Sequence, residues 1–297
     1  MPQSKYSQYV ITELKTPDTP LFTPEAKAMY ASFAKRILWI DNELVPGSFQ
    51  MNCSWYLKKL ERGAEEHVHD SNEILGFFGN DPNDPYNLHG EVEFWLGGKK
   101  QVINRTAMVF IPSGMRHCPL ILKRVDQPIF HFSVVTEGQW VTKKPKADND
   151  PNYDYSKHVV TELKAPNFGP KFVEEYKKFA TRILWMDKNV VPGAFQMNVS
   201  WYCKPQAHAP TPHKHNSDEI IGFFGGDMNN PHDLGAEIEM WLEDEKFILT
   251  KSALLFAPAG MNHCPLIIRR VDRPVFHFSI VNEDTYKLIP SEMKKNG

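Results

Sequence analysis

The sequence predicts an all-β protein of two tandem jelly-roll barrels, each preceded by a short helix. Three observations predict it: the chain repeats itself almost end to end, its apolar residues alternate with a period of two, and each copy holds one clear helical pattern. "RILWIDNELVPGSFQMNCSWY" from Arg36 returns as "RILWMDKNVVPGAFQMNVSWY" from Arg182. "EVEFWL" at Glu91 returns as "EIEMWL" at Glu237, and "IPSGMRHCPLILKRVDQPIFHFSVV" returns as "APAGMNHCPLIIRRVDRPVFHFSIV". All three blocks share the displacement from Arg36 to Arg182. At 297 residues, each copy is long enough to bury its own core, and the repeat divides the chain into domains 1–147 and 148–297.

The elements follow in order. "TPEAKAMYASFAKR" reads as a helix capped by Thr23 with Pro24 in its first turn, and "PKFVEEYKKFATR" from Pro170 is its partner. "SFQMNCSWYL" sets Phe49, Met51, Cys53 and Trp55 against Gln50, Asn52, Ser54 and Tyr56, which is a strand with two unlike faces. If the apolar face packs outward against the helix, the polar face points into the barrel; the alternative is that the polar face is solvated. "EVEFWL" and "AMVFIP" continue the alternation, and "CPLILKRVDQPIFHFSVV" reads as a hairpin turning near Asp126 and Gln127. "TKKPKADNDPNYDY", Thr142 to Tyr155, is polar and lacks an apolar period, so it reads as a linker.

Composition excludes several classes. With 34 basic and 36 acidic residues and no polybasic run, the chain is not expected to bind nucleic acid or an anionic membrane. No apolar run is long enough to cross a bilayer and "MPQSKYSQYV" is not a signal sequence, so a cytoplasmic location is expected. Cys53, Cys118, Cys203 and Cys264 form no CxxC pair and read as reduced thiols, mostly buried.

The chemistry lies in "HVHDSNE" and "HKHNSDE". Each copy carries His-x-His, a glutamate four residues on, and a third histidine much later: His67, His69, Glu73 and His117, then His213, His215, Glu219 and His263. Residues two apart on a strand face the same side, so each pair presents two imidazoles to one point. Such an N/O donor set suits Mn, Fe, Co, Ni or Zn and leaves open positions on an octahedral ion. The turns "IPSGMRH" and "APAGMNH" fix where the third histidine's strand begins. Gln50, Asn52, Gln196 and Asn198 are candidate substrate contacts, and Tyr56 and Tyr202 candidate general acids or bases. His131 and His277 are expected in packing or an interface; His89, His158, His208 and His232 at the surface. Glu91, Glu93, Glu237 and Glu239 read as exposed strand carboxylates.

With "HVHDSNE" and "HKHNSDE" as first motif and "PSGMRH" and "PAGMNH" as second, the chain resembles a bicupin of the cupin superfamily. The resemblance covers both copies. It implies two double-stranded β-helix barrels, with three histidines and one glutamate holding a metal in each. Two positions depart from the usual pattern: Thr106 and Ser252 replace a glycine, and Ile121 and Ile267 replace an asparagine. Among bicupins the chain is similar to Mn-dependent dihydrophloroglucinol cyclohydrolases. That similarity implies manganese, a cyclic 1,3-dicarbonyl substrate, and C–C hydrolysis by metal-activated water. A dioxygenase or decarboxylase using Fe or Mn, and a non-catalytic ligand-binding bicupin with a structural metal, are the alternatives. A homo-oligomer packed through "FHFSVV" and "FHFSIV" is the expected assembly.

Overall fold

The computed structural model describes residues 4–17, 22–145, 150–207 and 210–291. The first copy holds β1 (Val10–Ile11), α1 (Pro24–Ala31), β2 (Ala34–Ile40), β3 (Gln50–Tyr56), β4 (Glu73–Gly79), β5 (Asn87–Leu96), β6 (Lys99–Arg105), β7 (Ala107–Ile111), β8 (His117–Val125) and β9 (Ile129–Val135). The second holds β10 (Val159–Val160), α2 (Pro170–Lys177), β11 (Ala180–Met186), β12 (Gln196–Tyr202), β13 (His213–Lys214), β14 (Glu219–Gly225), β15 (Asp233–Leu242), β16 (Glu245–Lys251), β17 (Ala253–Ala257), β18 (His263–Val271), β19 (Val275–Val281) and β20 (Ile289–Pro290).

Two compact units result. One comprises Leu14–Leu163 with Val191–Ala194; the other takes the segment ending at Glu13, Lys164–Val190, and Phe195 onward. Each is a pair of sheets. The first has the order β10-β7-β4-β9-β3-β2 facing β6-β5-β8, and the second has β1-β17-β14-β19-β12-β11 with β16-β15-β18-β13-β20. The division at 147/148 follows the repeat, but the short strands that complete each sheet do not: β1 pairs with β17, and β10 with β7. These are tandem cupin-type jelly rolls.

Local chemistry explains the elements. Thr23 caps α1 by accepting from Ala26 N at 3.2 Å, and Pro24 opens it. The helix stops at Ala31, short of the full "TPEAKAMYASFAKR" pattern, because Ala34–Ile40 is taken up by β2. β5 alternates half-buried and buried residues along its whole length, its inward side joining a core of Phe77, Leu88, Val92, Phe94 and Leu96. The second barrel repeats this with Phe223, Leu234, Ile238, Met240 and Leu242.

Four expectations are corrected. The strands β8 and β9 are not a hairpin: β8 pairs with β5, whereas β9 lies between β3 and β4 in the other sheet. The Asp126 and Gln127 amides donate to His89 O at 2.8 and 3.2 Å, so the turn carries the chain from one sheet to the other. The helix does not cover the apolar face of β3. No α1 residue is buried, and Tyr30 donates to Ser54 on the polar face at 2.7 Å, which sets α1 at the cavity mouth. "FHFSVV" and "FHFSIV" offer no free packing face, because β9 and β19 are almost wholly buried within the chain. The linker is partly structured: Lys143 bridges Val68, and Tyr155 is buried at the start of a short 3-10 turn.

Among the solitary histidines, His158 is buried, donating through Nδ1 to Phe110 O at 3.1 Å, while His89 and His232 are half-buried. His208 lies outside the described residues. Glu239 is buried, bonded to Trp241 Nε1 at 2.6 Å and paired with Arg269; Glu91, Glu93 and Glu237 are half-buried. Cys53, Cys118 and Cys264 are buried free thiols and Cys203 is half-buried. Among the described residues no helix is long and apolar enough to cross a membrane.

Candidate metal centre

Two backbone pairings assemble each site. His67 and His117 exchange both backbone hydrogen bonds at 3.1 Å, and His213 pairs likewise with His263. The turn before the third histidine is tied to the first motif. Gly114 and Gly260 sit at φ of 79° and 85° and donate their amides to His69 O and His215 O at 2.8 Å. Asn72 Oδ1 accepts from Ser113 N at 3.0 Å, and Asp218 Oδ1 from Ala259 N at 2.9 Å. The two motifs, far apart in sequence, thus form one rigid corner.

All eight expected ligands are buried. Glu73 Oε2 lies 3.5 Å from His69 Nε2 and 3.3 Å from His117 Nε2; Glu219 Oε2 lies 3.3 Å from His215 Nε2 and 2.9 Å from His263 Nε2. The His67 ring centroid is 4.3 Å from that of His117, and His213 is 4.4 Å from His263. Donor atoms of His69, Glu73 and His117 lie within 4.8 Å of one another, as do those of His213, His215 and His263.

The six Nδ1 atoms decide what this cluster can hold. In the first site they meet the carbonyls of Glu65, Val141 and Met115 at 2.7, 2.6 and 3.0 Å. In the second they meet Thr211, Lys287 and Met261 at 2.8, 2.6 and 3.1 Å. A carbonyl only accepts, so each Nδ1 carries the proton and each Nε2 faces the centre. His69 Nε2, Glu73 Oε2, His215 Nε2, Glu219 Oε2 and His263 Nε2 are buried with no hydrogen-bond partner. Buried polar atoms left in this state are rare, and a divalent cation at the centre satisfies them together. The residues fit the ion.

Burial pushes His69 down to about 4, His117 to about 3 and His213 to about 4, favouring neutral imidazole ligands, whereas at His215 the neighbouring Glu219 carboxylate outweighs burial and raises it. Burial pushes the Glu73 carboxyl up to about 8 against an opposing hydrogen bond from Trp140. Burial acts on Glu219 the same way, but the nearby His215 and His263 rings outweigh it and hold that carboxyl well below the usual range. Cys118 also groups with His67 and His117, but burial pushes its thiol up, away from the thiolate that a metal needs.

Each cluster lines a cavity within its own barrel, about 400 Å³ in the first and about 780 Å³ in the second. Gln50, Asn52 and Tyr56 line the first with Glu73 and His117. Asn198 and Tyr202 line the second with Glu219 and His263, while Gln196 is buried but is not part of that lining. The phenol rings of Tyr56 and Tyr202 stack on His131 and His277 at 4.5 and 4.4 Å. Thr106 and Ser252, at the departed glycine positions, are buried and bond Pro85 O and Pro231 O at 2.7 and 3.0 Å.

Sequence reasoning missed two pairs beside the metal cluster and at the cavity mouth. Trp140 and Tyr286 follow the last long strand, in segments with no shared motif. Arg36 and Arg182 stood inside the quoted repeat, yet a lone strand arginine carries no signal until its neighbours are known.

Solved structures with the same architecture exist. A structure on the substrate binding mode of oxalate decarboxylase superposes with a TM-score of 0.55 at 12% identity, covering 85% of this chain and 74% of that one. The fold is that of a bicupin. A point mutant of Bacillus subtilis oxalate decarboxylase gives 0.53 at 13% identity, and a study of that enzyme's Mn(II) centres gives 0.51 at 13%, both with the same coverage. No protein family model and no curated protein matches this chain.

Proposed function

We propose that this bicupin is a manganese-dependent enzyme that opens a small cyclic 1,3-dicarbonyl by hydrolysis of a C–C bond. The observation that carries the reading is the metal cluster in the wall of a 780 Å³ cavity lined with Phe168, Phe172, Phe179, Tyr202 and Tyr286. A cavity of that size and aromatic character suits a ring bearing two oxygens better than a two-carbon dicarboxylate. Manganese fits a set of three imidazoles and one carboxylate, and it is the metal of the similar decarboxylase.

His67, His69, Glu73 and His117 would hold the ion in the first barrel, and His213, His215, Glu219 and His263 in the second. When bound, a divalent ion supplies polarisation of a carbonyl oxygen and activation of a water. The chain's own residues do the rest. Aromatic walls stack the substrate ring and exclude bulk water. Burial raises the Tyr202 and Tyr286 phenols, so both keep their protons at neutral pH and can serve as acids rather than bases. Tyr286 Oη lies 3.4 Å from His213 Nε2, whereas Tyr202 is stacked on His277, so Tyr286 is the phenol placed to protonate a departing carbanion.

The second reading is a decarboxylase or dioxygenase, favoured by the structural resemblance to oxalate decarboxylase. One experiment separates them. Protein loaded with Mn(II) is offered cyclic 1,3-diones under nitrogen, and products are read by mass spectrometry. The expected product is a keto acid heavier than substrate by one water. Release of carbon dioxide, or activity that requires oxygen, replaces the hydrolase with the second reading.

A further inference from the structure

Arg36 and Arg182 stand at matched positions, opposite Ser54 on β3 and Ser200 on β12, and each lines its own barrel's cavity. Aromatic rings cover their faces. Arg182 lies 4.7 Å from the Phe168 centroid, 4.6 Å from Tyr176 and 5.5 Å from Trp185. Arg36 lies 4.5 Å from Phe22 and 4.2 Å from Tyr30. Stacking uses the flat faces of a guanidinium and leaves its in-plane N–H donors for a planar anion. Among the described residues neither arginine has a carboxylate partner; Glu175, also at the second cavity, is paired with Lys178.

The copies differ at the arginine's edge. In the first barrel Arg36 Nε donates to Asn52 Oδ1 at 2.7 Å. In the second, Asn198 turns its amide to Ser279 Oγ at 2.7 Å, and Arg182 Nε is buried without a partner. The second cavity is also the larger. We infer that Arg182 is the anion-recognition residue of the C-terminal barrel, and that this barrel takes a ligand carrying a carboxylate or enolate on a ring-sized apolar body. The inference deepens the proposed function and rests on its assignment of the barrel cavity as a substrate site. Register sets the ligand's size. Arg182 shares a row with Ser200, His277 and Phe223, and Phe223 lies four residues beyond Glu219 on β14. Four residues span about 13 Å along a strand, so a molecule reaching from Arg182 toward the metal cluster must exceed two carbons.

The test is calorimetric titration of the full chain with benzoate, and with benzamide as its neutral counterpart. Wild type is expected to bind one benzoate per chain and to bind benzamide at least tenfold more weakly. Arg182→Gln is expected to weaken benzoate at least tenfold, and Arg270→Gln, which removes an exposed charge paired with Asp272, to leave it unchanged. Should R182Q not fold, Arg182→Lys keeps the charge without the planar fork and is expected to bind severalfold more weakly than wild type. Unchanged binding in R182Q or R182K, two equivalent sites, equal affinity for benzamide, or no benzoate binding at all overturns the inference. Elemental analysis and a repeat after EDTA dialysis keep the two readings apart. A chain without metal ends the proposed function, while Arg182-dependent benzoate binding in the stripped protein upholds the role of Arg182.

Discussion

Tyr286 stands in the second barrel where Trp140 stands in the first. The next residue in each case, Lys287 or Val141, accepts the Nδ1–H of the second histidine at 2.6 Å. Trp140 lies 5.1 Å from the His69 ring, and Tyr286 lies 4.6 Å from His215. Two clusters with the same ligand pattern are therefore closed by different side chains, an indole against the first two histidines and a phenol beside a histidine.

Trp140→Phe keeps a ring beside His69 and removes the indole N–H, which opposes the rise of the Glu73 carboxyl. Loss of an outer partner of this kind weakens metal binding about 10- to 100-fold. Competition with a coloured chelator is expected to show one of two sites weakened by that factor. Two sites of unchanged affinity would show that the indole only fills space.

Tyr286→Phe is expected to keep its metal and lose turnover. Removing a positioned proton donor costs roughly 10²- to 10⁴-fold in rate. Elemental analysis and kcat should separate: full metal content with a kcat loss of that order supports the role, and parallel loss of both counts against it.

His67→Ala and His213→Ala each open one cluster. Elemental analysis of protein purified without oxygen is expected to fall by about one ion per chain in each variant, and to near zero in the double variant. Because the ion binds the folded state alone, each loss also lowers Tm, and added Mn(II) restores it only where the cluster is intact.

The two clusters of histidines and a glutamate were legible in sequence because their geometry is local. His-x-His fixes two imidazoles by strand period, and the Pro-x-Gly turn fixes the third. The fold class was legible from the same period and from the repeat. The hairpin reading of β8 and β9 failed because alternation describes the faces of a strand and says nothing about which sheet receives it. The helix was misplaced because β3 is buried on both sides, so its apolar face gave no hint of what covers it. Arg182 and Tyr286 escaped because their meaning lies in what they lack or nearly touch, a missing carboxylate and a histidine 3.4 Å away, and neither is written in adjacent residues.

Gly79 and Gly225 end β4 and β14 where the neighbouring backbone passes close. A Cβ at Gly79 would lie 2.0 Å from Asn87 O, and one at Gly225 equally near Asp233 O. Backbone on both sides cannot yield cheaply, so Gly79→Ala and Gly225→Ala are each expected to cost about 1–3 kcal/mol. Denaturant titration followed by circular dichroism should place both midpoints below wild type. Unchanged midpoints would mean that the strands separate there without penalty.

His131 and His277 set an acid limit on stability. Both are fully buried, donate Nδ1–H to Gly76 O and Gly222 O at 3.0 Å, and are pushed by burial down to about 3. The same side chains in an unfolded chain protonate near 6.5. Between those values the unfolded state holds the extra proton, so stability is complete above pH 6.5 and falls as pH drops toward 3. Well inside that window each histidine contributes a slope of about 1.4 kcal/mol per pH unit. His277→Asn offers its amide to the same carbonyl without a titrating ring. Its unfolding free energy, measured from pH 7 to 4 on EDTA-treated protein so that metal release does not intervene, is expected to fall less steeply than wild type by about that amount. An equal slope in the two proteins would show that His277 gains its proton without unfolding.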